Sequence, residues 1–221
     1  MTDPKIPQIV GVIFSRADFQ RALRLRHSPD LFELRLDALA GYLDFVGNAI
    51  TGLGAPLIIT ARHPQEGGMN DLSSRERQRL LLAFLPHAKY VDIELRSARG
   101  LRAVCGAARA NGIAIIGSFH DFVGLPETKR LDRMARTAHS LGADLLKIAA
   151  RLDTRAQLAR LLEFFERQGR TTKIAAMGIG KLGRFSRLEF ARRGCPLNYA
   201  HLGTSRAAGQ LSIRELRRAL P

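Results

Sequence analysis

The sequence predicts an α/β protein, one (β/α)8 TIM barrel over residues 1–221, on three observations. Eight short apolar or β-branched runs recur along the chain. Stretches with apolar residues at helical spacing separate them. Polar and charged residues collect towards the C-terminal ends of the runs, which surround one mouth when a parallel sheet closes into a barrel.

The runs are QIVGVIF (8–14), LFELRL (31–36), PLIITA (56–61), YVDIEL (90–95), IAIIGSF (113–119), DLLKIAA (144–150), TKIAAM (172–177) and NYAHLG (198–203). Leu80, Leu81, Phe84 and Leu85 make one apolar helix stripe between them, and Leu158, Leu161, Leu162 and Phe165 another. Asn111-Gly112, Gly142 and Gly169 precede strands and are expected to end helices in the left-handed region. An open doubly wound sheet is the competitor, because GIGKLG (178–183) matches the G-x-G-x-x-G spacing. That match falls on the seventh strand, and about 20 residues on, where a ribose-binding acid belongs, the chain reads His201-Leu202-Gly203. The segment is therefore read as a turn.

Composition narrows the function classes. The formal charge is +15 from 35 Lys+Arg against 20 Asp+Glu. Arginine supplies 29 of those cations, scattered through segments such as SSRERQRL and KRLDRMARTAH. Aromatic residues are 6% with no Trp, so little can stack on bases, and the arginines read as solvated helix faces with no nucleic-acid partner expected. No membrane association is expected either, since no apolar run approaches 18 residues. Cys105 and Cys195 fit neither a disulfide scaffold nor a CxxC pattern. With no signal-peptide pattern in MTDPKIPQIV, the expected compartment is the cytoplasm.

The informative anomaly is charge inside strands. Residues two apart share a strand face, so Glu33 goes with Arg35, Thr60 with Arg62, Asp92 with Glu94, Ser118 with His120, and Lys147 with Ala149. Burying such groups is costly without partners or a ligand. Glu33 with Arg35 can be read as a structural ion pair, and His120 alone as a satisfied polar residue. Lys147 is harder to read so. In a chain with six lysines, arginine serves wherever a permanent cation suffices, whereas lysine offers a neutral amine. Apolar surroundings and cations such as Arg35 or Arg62 are expected to favour that amine as a Schiff-base nucleophile. His120, one strand away, is placed to move a proton α to the resulting iminium. The arginines point to an anionic small-molecule substrate, since the guanidinium fork matches carboxylate or phosphate. The six His show no metal-ligand spacing, so no metal site is expected; His27, His87 and His139 read as solvent-facing near helix ends.

FELRLD (32–37), ITARHPQEGG (59–68), VDIEL (91–95), SFHDF (118–122), LLKIA (145–149), GKLGRFSR (180–187) and AAGQ (207–210) occur in an order that resembles the type I 3-dehydroquinate dehydratases of the shikimate pathway, over nearly the whole chain. The resemblance implies the (β/α)8 barrel of the class I aldolase superfamily and dehydration of 3-dehydroquinate to 3-dehydroshikimate, with no metal or organic cofactor needed. By that likeness Lys147 forms the Schiff base, His120 is the acid-base residue and Glu94 orients it. Glu33, Arg35, Arg62, Arg187 and Gln210 match substrate-binding residues, and Glu66, with Gly67-Gly68, lies on a mobile loop after the third strand. A homodimer is implied as well.

The last loop departs from the family's Ser-Ala-Pro-Gly-Gln. Without a gap, Arg206 replaces the substrate-contacting serine and Ala208 the proline; Ser205 substitutes if the loop shifts by one residue. Losing that proline loosens an unbound lid by about 0.4–1 kcal/mol. His63 and Ile179 are further departures. Two other readings follow: another Schiff-base class I aldolase or dehydratase acting on a different carboxylated ketone, and a non-catalytic polyanion-binding barrel.

Overall fold

The computed structural model describes residues 7–220. Eight strands run β1 (Gln8–Ile13), β2 (Leu31–Arg35), β3 (Leu57–Thr60), β4 (Ala88–Glu94), β5 (Ala114–Asp121), β6 (Leu145–Arg151), β7 (Ile174–Ile179) and β8 (Leu197–His201). They alternate with α1 (Arg16–Leu23), α2 (Leu43–Ala49), α3 (Ser74–Phe84), α4 (Arg102–Ala110), α5 (Thr128–Ser140), α6 (Arg155–Gln168), α7 (Gly183–Arg192) and α8 (Ile213–Ala219). All pairings are parallel, in the order β7-β6-β5-β4-β3-β2-β1-β8, and β1 bonds to both β2 and β8. This is a (β/α)8 barrel with one seam, between β7 and β8, that carries no hydrogen-bonded ladder among the described residues.

Local sequence explains the element ends. Ser73 with Glu76, Thr154 with Gln157 and Ser212 with Glu215 form capping boxes that start α3, α6 and α8. Gly112 and Gly142 end helices at φ 66° and 68°, in the left-handed region. Gly169 does not: its φ is −60°, because the chain makes a further turn through Thr171 and Thr172, whose N–H groups both bond to Gln168 O. The GIGKLG segment is indeed a turn, carrying the end of β7 into α7.

Packing separates an apolar floor from a polar mouth. Val10, Leu31, Ile58, Ile116, Leu145 and Leu197 belong to one buried cluster. They precede Val12, Glu33, Thr60, Ser118, Lys147 and Tyr199 by two residues, so each of these six strands carries an apolar residue below and, on all but β1, a polar one above on the same face. Outside, helix side chains seal the strands, with Phe165 and Phe190 in edge-to-face contact at 5.2 Å. No helix among the described residues is long and apolar enough to cross a membrane. Cys105 and Cys195 are buried and unpaired.

Candidate active site

A cavity of about 370 Å³ opens at the C-terminal ends of the strands. Lys147, His120, Glu33, Arg35, Arg62, Glu66, Arg187, Arg206 and Gln210 all line it, together with Met177 and Ile179. Two expected residues do not. Glu94 lies below it in the wall, and Ser205, exposed on the last loop, donates its hydroxyl to Ala207 O.

Lys147 does not sit in the apolar, cation-lined setting expected of it. Its Nζ lies 2.6 Å from Asp92 Oδ2 and 3.2 Å from Glu33 Oε1. Beneath it, 4.4 Å away, is the centroid of the Tyr199 ring. Asp92 also takes both ends of the Arg62 guanidinium, at 2.9 and 3.0 Å, and the Ser118 hydroxyl. Burial alone would raise the Asp92 carboxyl, but Arg62 and Lys147 hold it far below the usual range. The two carboxylates orient the lysine, and the arginine compensates their charge.

The partner of His120 is Glu66, a correction to the expected pairing with Glu94. Glu66 Oε2 accepts the His120 backbone N–H at 2.9 Å and lies 3.0 Å from Nδ1. Glu94 is fully engaged elsewhere: Oε1 accepts from Arg62 at 3.1 Å and from His63 N at 3.0 Å, and Oε2 from Arg77 at 2.9 Å. Strand alternation puts Glu94 on the inner face, but the loop after β3 folds between it and His120 and delivers its own acid. Burial pushes the Glu66 carboxyl up to about 7. Burial first, then the charges of Arg62 and Lys147, holds the His120 imidazole well below its ordinary value. When Glu66 is ionised it accepts Nδ1–H, leaving Nε2 as the proton acceptor.

The loop read as mobile is pinned in this structure. Arg62 N and Met69 N donate to the two oxygens of Asp37, Arg35 grips the same carboxylate in a bidentate fork, and Arg35 also donates to Gly67 O. Burial would raise Asp37, yet the Arg35 fork and these N–H groups hold it below the usual carboxylate range. His63 caps the short 3-10 turn at 64–66, its Nδ1 accepting from Gln65 N. The sequence reading missed three of these supports. Asp37 is two residues beyond Arg35, on the same side. Arg77 precedes Leu80 and Leu81 by helical spacing, so it belongs to the buried stripe of α3, where it is fully buried. Tyr199 faces inward by strand alternation.

Arg187 enters through the seam. It projects from α7 between β7 and β8, is buried, donates to Tyr199 O at 3.3 Å, and has no carboxylate within 4.0 Å among the described residues. Burial pushes its guanidinium down to about 10, which still leaves it charged at neutral pH. An uncompensated buried cation on the cavity wall is a receptor for an anionic group.

Fold and mouth thus define a class: (β/α)8 barrels that present a buried lysine, a histidine–carboxylate pair and an uncompensated arginine to one cavity at the C-terminal ends of the strands. The family model described as Type I 3-dehydroquinase matches residues 12–221, and the chain belongs to that family. The 3-dehydroquinate dehydratase of Thermococcus onnurineus is 34% identical over 218 residues, covering 96% of each chain. That of Methanothermobacter thermautotrophicus is 33% identical over 193 residues, 86% of this chain and 84% of the relative. Among solved structures, the 3-dehydroquinate dehydratase of Geobacillus kaustophilus superimposes with a TM-score of 0.87 at 26% identity, over 97% of this chain and 90% of that one.

Proposed function

We propose that this chain dehydrates 3-dehydroquinate to 3-dehydroshikimate by syn elimination through a Lys147 Schiff base, the third step of the shikimate pathway. The observation that carries the reading is the single cavity holding Lys147, the Glu66–His120 pair and the uncompensated Arg187 in a chain of this family.

The Lys147 ammonium passes a proton to Glu33, 3.2 Å away, and the amine attacks the C3 ketone. Loss of water from the carbinolamine leaves an iminium. His120 Nε2 takes the C2 proton, and the C–H electron pair moves into the iminium to form an enamine. The enamine expels the C1 hydroxyl, which leaves as water with the proton returned by His120. Hydrolysis of the conjugated iminium frees product and lysine. Every group used belongs to the chain or the substrate. Arg187 holds the ring carboxylate, while Glu33, Arg35, Arg62 and Gln210 surround the hydroxylated face. Glu94 takes the role of a positioning residue: it anchors the loop that carries Glu66.

A homodimer in the cytoplasm goes with this reading, supported by the family resemblance and by two buried, unpaired cysteines. Sedimentation of the purified chain tests the assembly. Borohydride reduction with 3-dehydroquinate, followed by peptide mass spectrometry, tests the chemistry. An adduct on the Lys147 peptide is expected; folded protein with no adduct there would overturn the mechanism.

A further inference from the structure

Four arginines line the mouth, and their charges are compensated unequally. Arg35 is paired with Asp37 at 2.8 Å, and Arg62 with Asp92 at 2.9 Å and Glu94 at 3.1 Å. Lys147 has Asp92 and Glu33. Arg187 and Arg206 alone among the mouth cations have no carboxylate within 4.0 Å among the described residues. The proposed function gives Arg187 the single carboxylate of its substrate and leaves Arg206 unused.

Arg206 is nevertheless held in a defined place. Its guanidinium lies 4.8 Å from the centroid of Phe14, immediately after β1, and that of Arg35 lies 4.8 Å from the same centroid. Arg35 is fixed by its fork on Asp37 and by Gly67 O, so the ring is a platform on which Arg206 settles. The lid is folded around the same residue: Arg206 N donates to Gln210 Oε1 at 3.1 Å, and Gln210 N to Ala207 O at 2.9 Å. On its other side the lid backbone packs on Gly183 at the start of α7, where an added Cβ would meet Ala208 O at 2.5 Å. Two guanidiniums on one ring repel each other, and the ring supplies no counter-charge. An oxyanion between them and the cavity relieves that repulsion.

We propose that Arg206, seated on Phe14, forms a second oxyanion subsite of the mouth in addition to Arg187, so that the cavity favours ligands carrying two anionic groups. The assignment of the first subsite to Arg187 rests on the proposed function; the existence of the second does not.

The test is equilibrium binding to the resting protein at constant ionic strength. The dicarboxylates from malonate to adipate are compared with their matched monocarboxylates. At least one dicarboxylate is expected to bind about tenfold tighter than its monocarboxylate, the scale of one charge-assisted contact. Arg206→Ala should abolish that preference, Phe14→Leu should reduce it, and Arg206→Lys should keep part of it, with unchanged melting as the control for folding. A wild-type preference below about threefold, or a full preference surviving in Arg206→Ala, overturns the proposal. Because neither measurement uses turnover or Lys147, its failure is separable from a failure of borohydride trapping.

Discussion

Glu66 Oε2 lies within 3.0 Å of both the ring Nδ1 and the backbone N of His120, so one carboxylate oxygen fixes the orientation and the main chain of the proposed acid-base residue. The acid comes from the loop after β3, and Glu94, on the adjoining strand, holds that loop in place through His63 N.

The pH dependence of catalysis should carry the signature of Glu66. Its ionised form is the one that takes Nδ1–H, so kcat/KM rises with pH through about 7 and then levels. Glu66→Gln removes that limb and lowers the plateau by about a hundredfold. The stability effect has the opposite sense. A carboxyl raised from 4.5 to about 7 binds more protons folded than unfolded, so stability falls as pH rises across that window, and the variant's melting curve should lose the slope.

Glu94→Gln separates structural support from proton transfer. It leaves the buried guanidiniums of Arg77 and Arg62 under-compensated, and the expected loss is about 3 kcal/mol in denaturant unfolding. The limb near pH 7 should persist in whatever activity remains. Its disappearance would return the orienting role to Glu94.

Arg187→Met tests the seam. Removing the uncompensated cation should raise KM by at least about tenfold with a smaller effect on kcat, the pattern of a contact made equally in ground and transition states. A fall confined to kcat would place Arg187 in the chemistry.

Tyr199→Phe addresses a buried hydroxyl with no hydrogen-bond partner among the described residues, on the ring that lies against Lys147. Removing it should raise stability by about 1 kcal/mol, because an unsatisfied buried hydroxyl costs at least that much. Thermal or denaturant unfolding measures the change; a drop would mean that the hydroxyl is bonded in solution.

Much of this is legible in the sequence. Alternation placed Glu33, Arg35, Arg62, His120 and Lys147 on inward faces, and the strand runs agree with the observed strands to within two residues at either end. The pairing of carboxylates with bases was not legible. Alternation tells which face a side chain occupies and says nothing about how far a loop reaches across that face. The family resemblance assigns the orienting role to Glu94, an inner-wall residue, and alternation holds nothing that would move it to Glu66, the partner in the structure. Lys147 was placed among cations for a related reason: Asp92 was visible on the next strand but one, yet its 2.6 Å approach depends on how the barrel curves. Arg77 was hidden in an arginine-rich helix whose other arginines face outward.

By itself, the sequence determined the barrel, the end of it that carries chemistry, and the residues that point into the mouth. These follow from periodicities of two and 3.6 residues, which are local properties of the chain. Only the tertiary structure decided which carboxylate serves which base, that Arg187 enters through the unpaired β7–β8 seam, and that Arg206 rests on Phe14 beside Arg35. Those relations join residues far apart in the chain, and the closure of the barrel and the folding of its loops over the mouth set their distances.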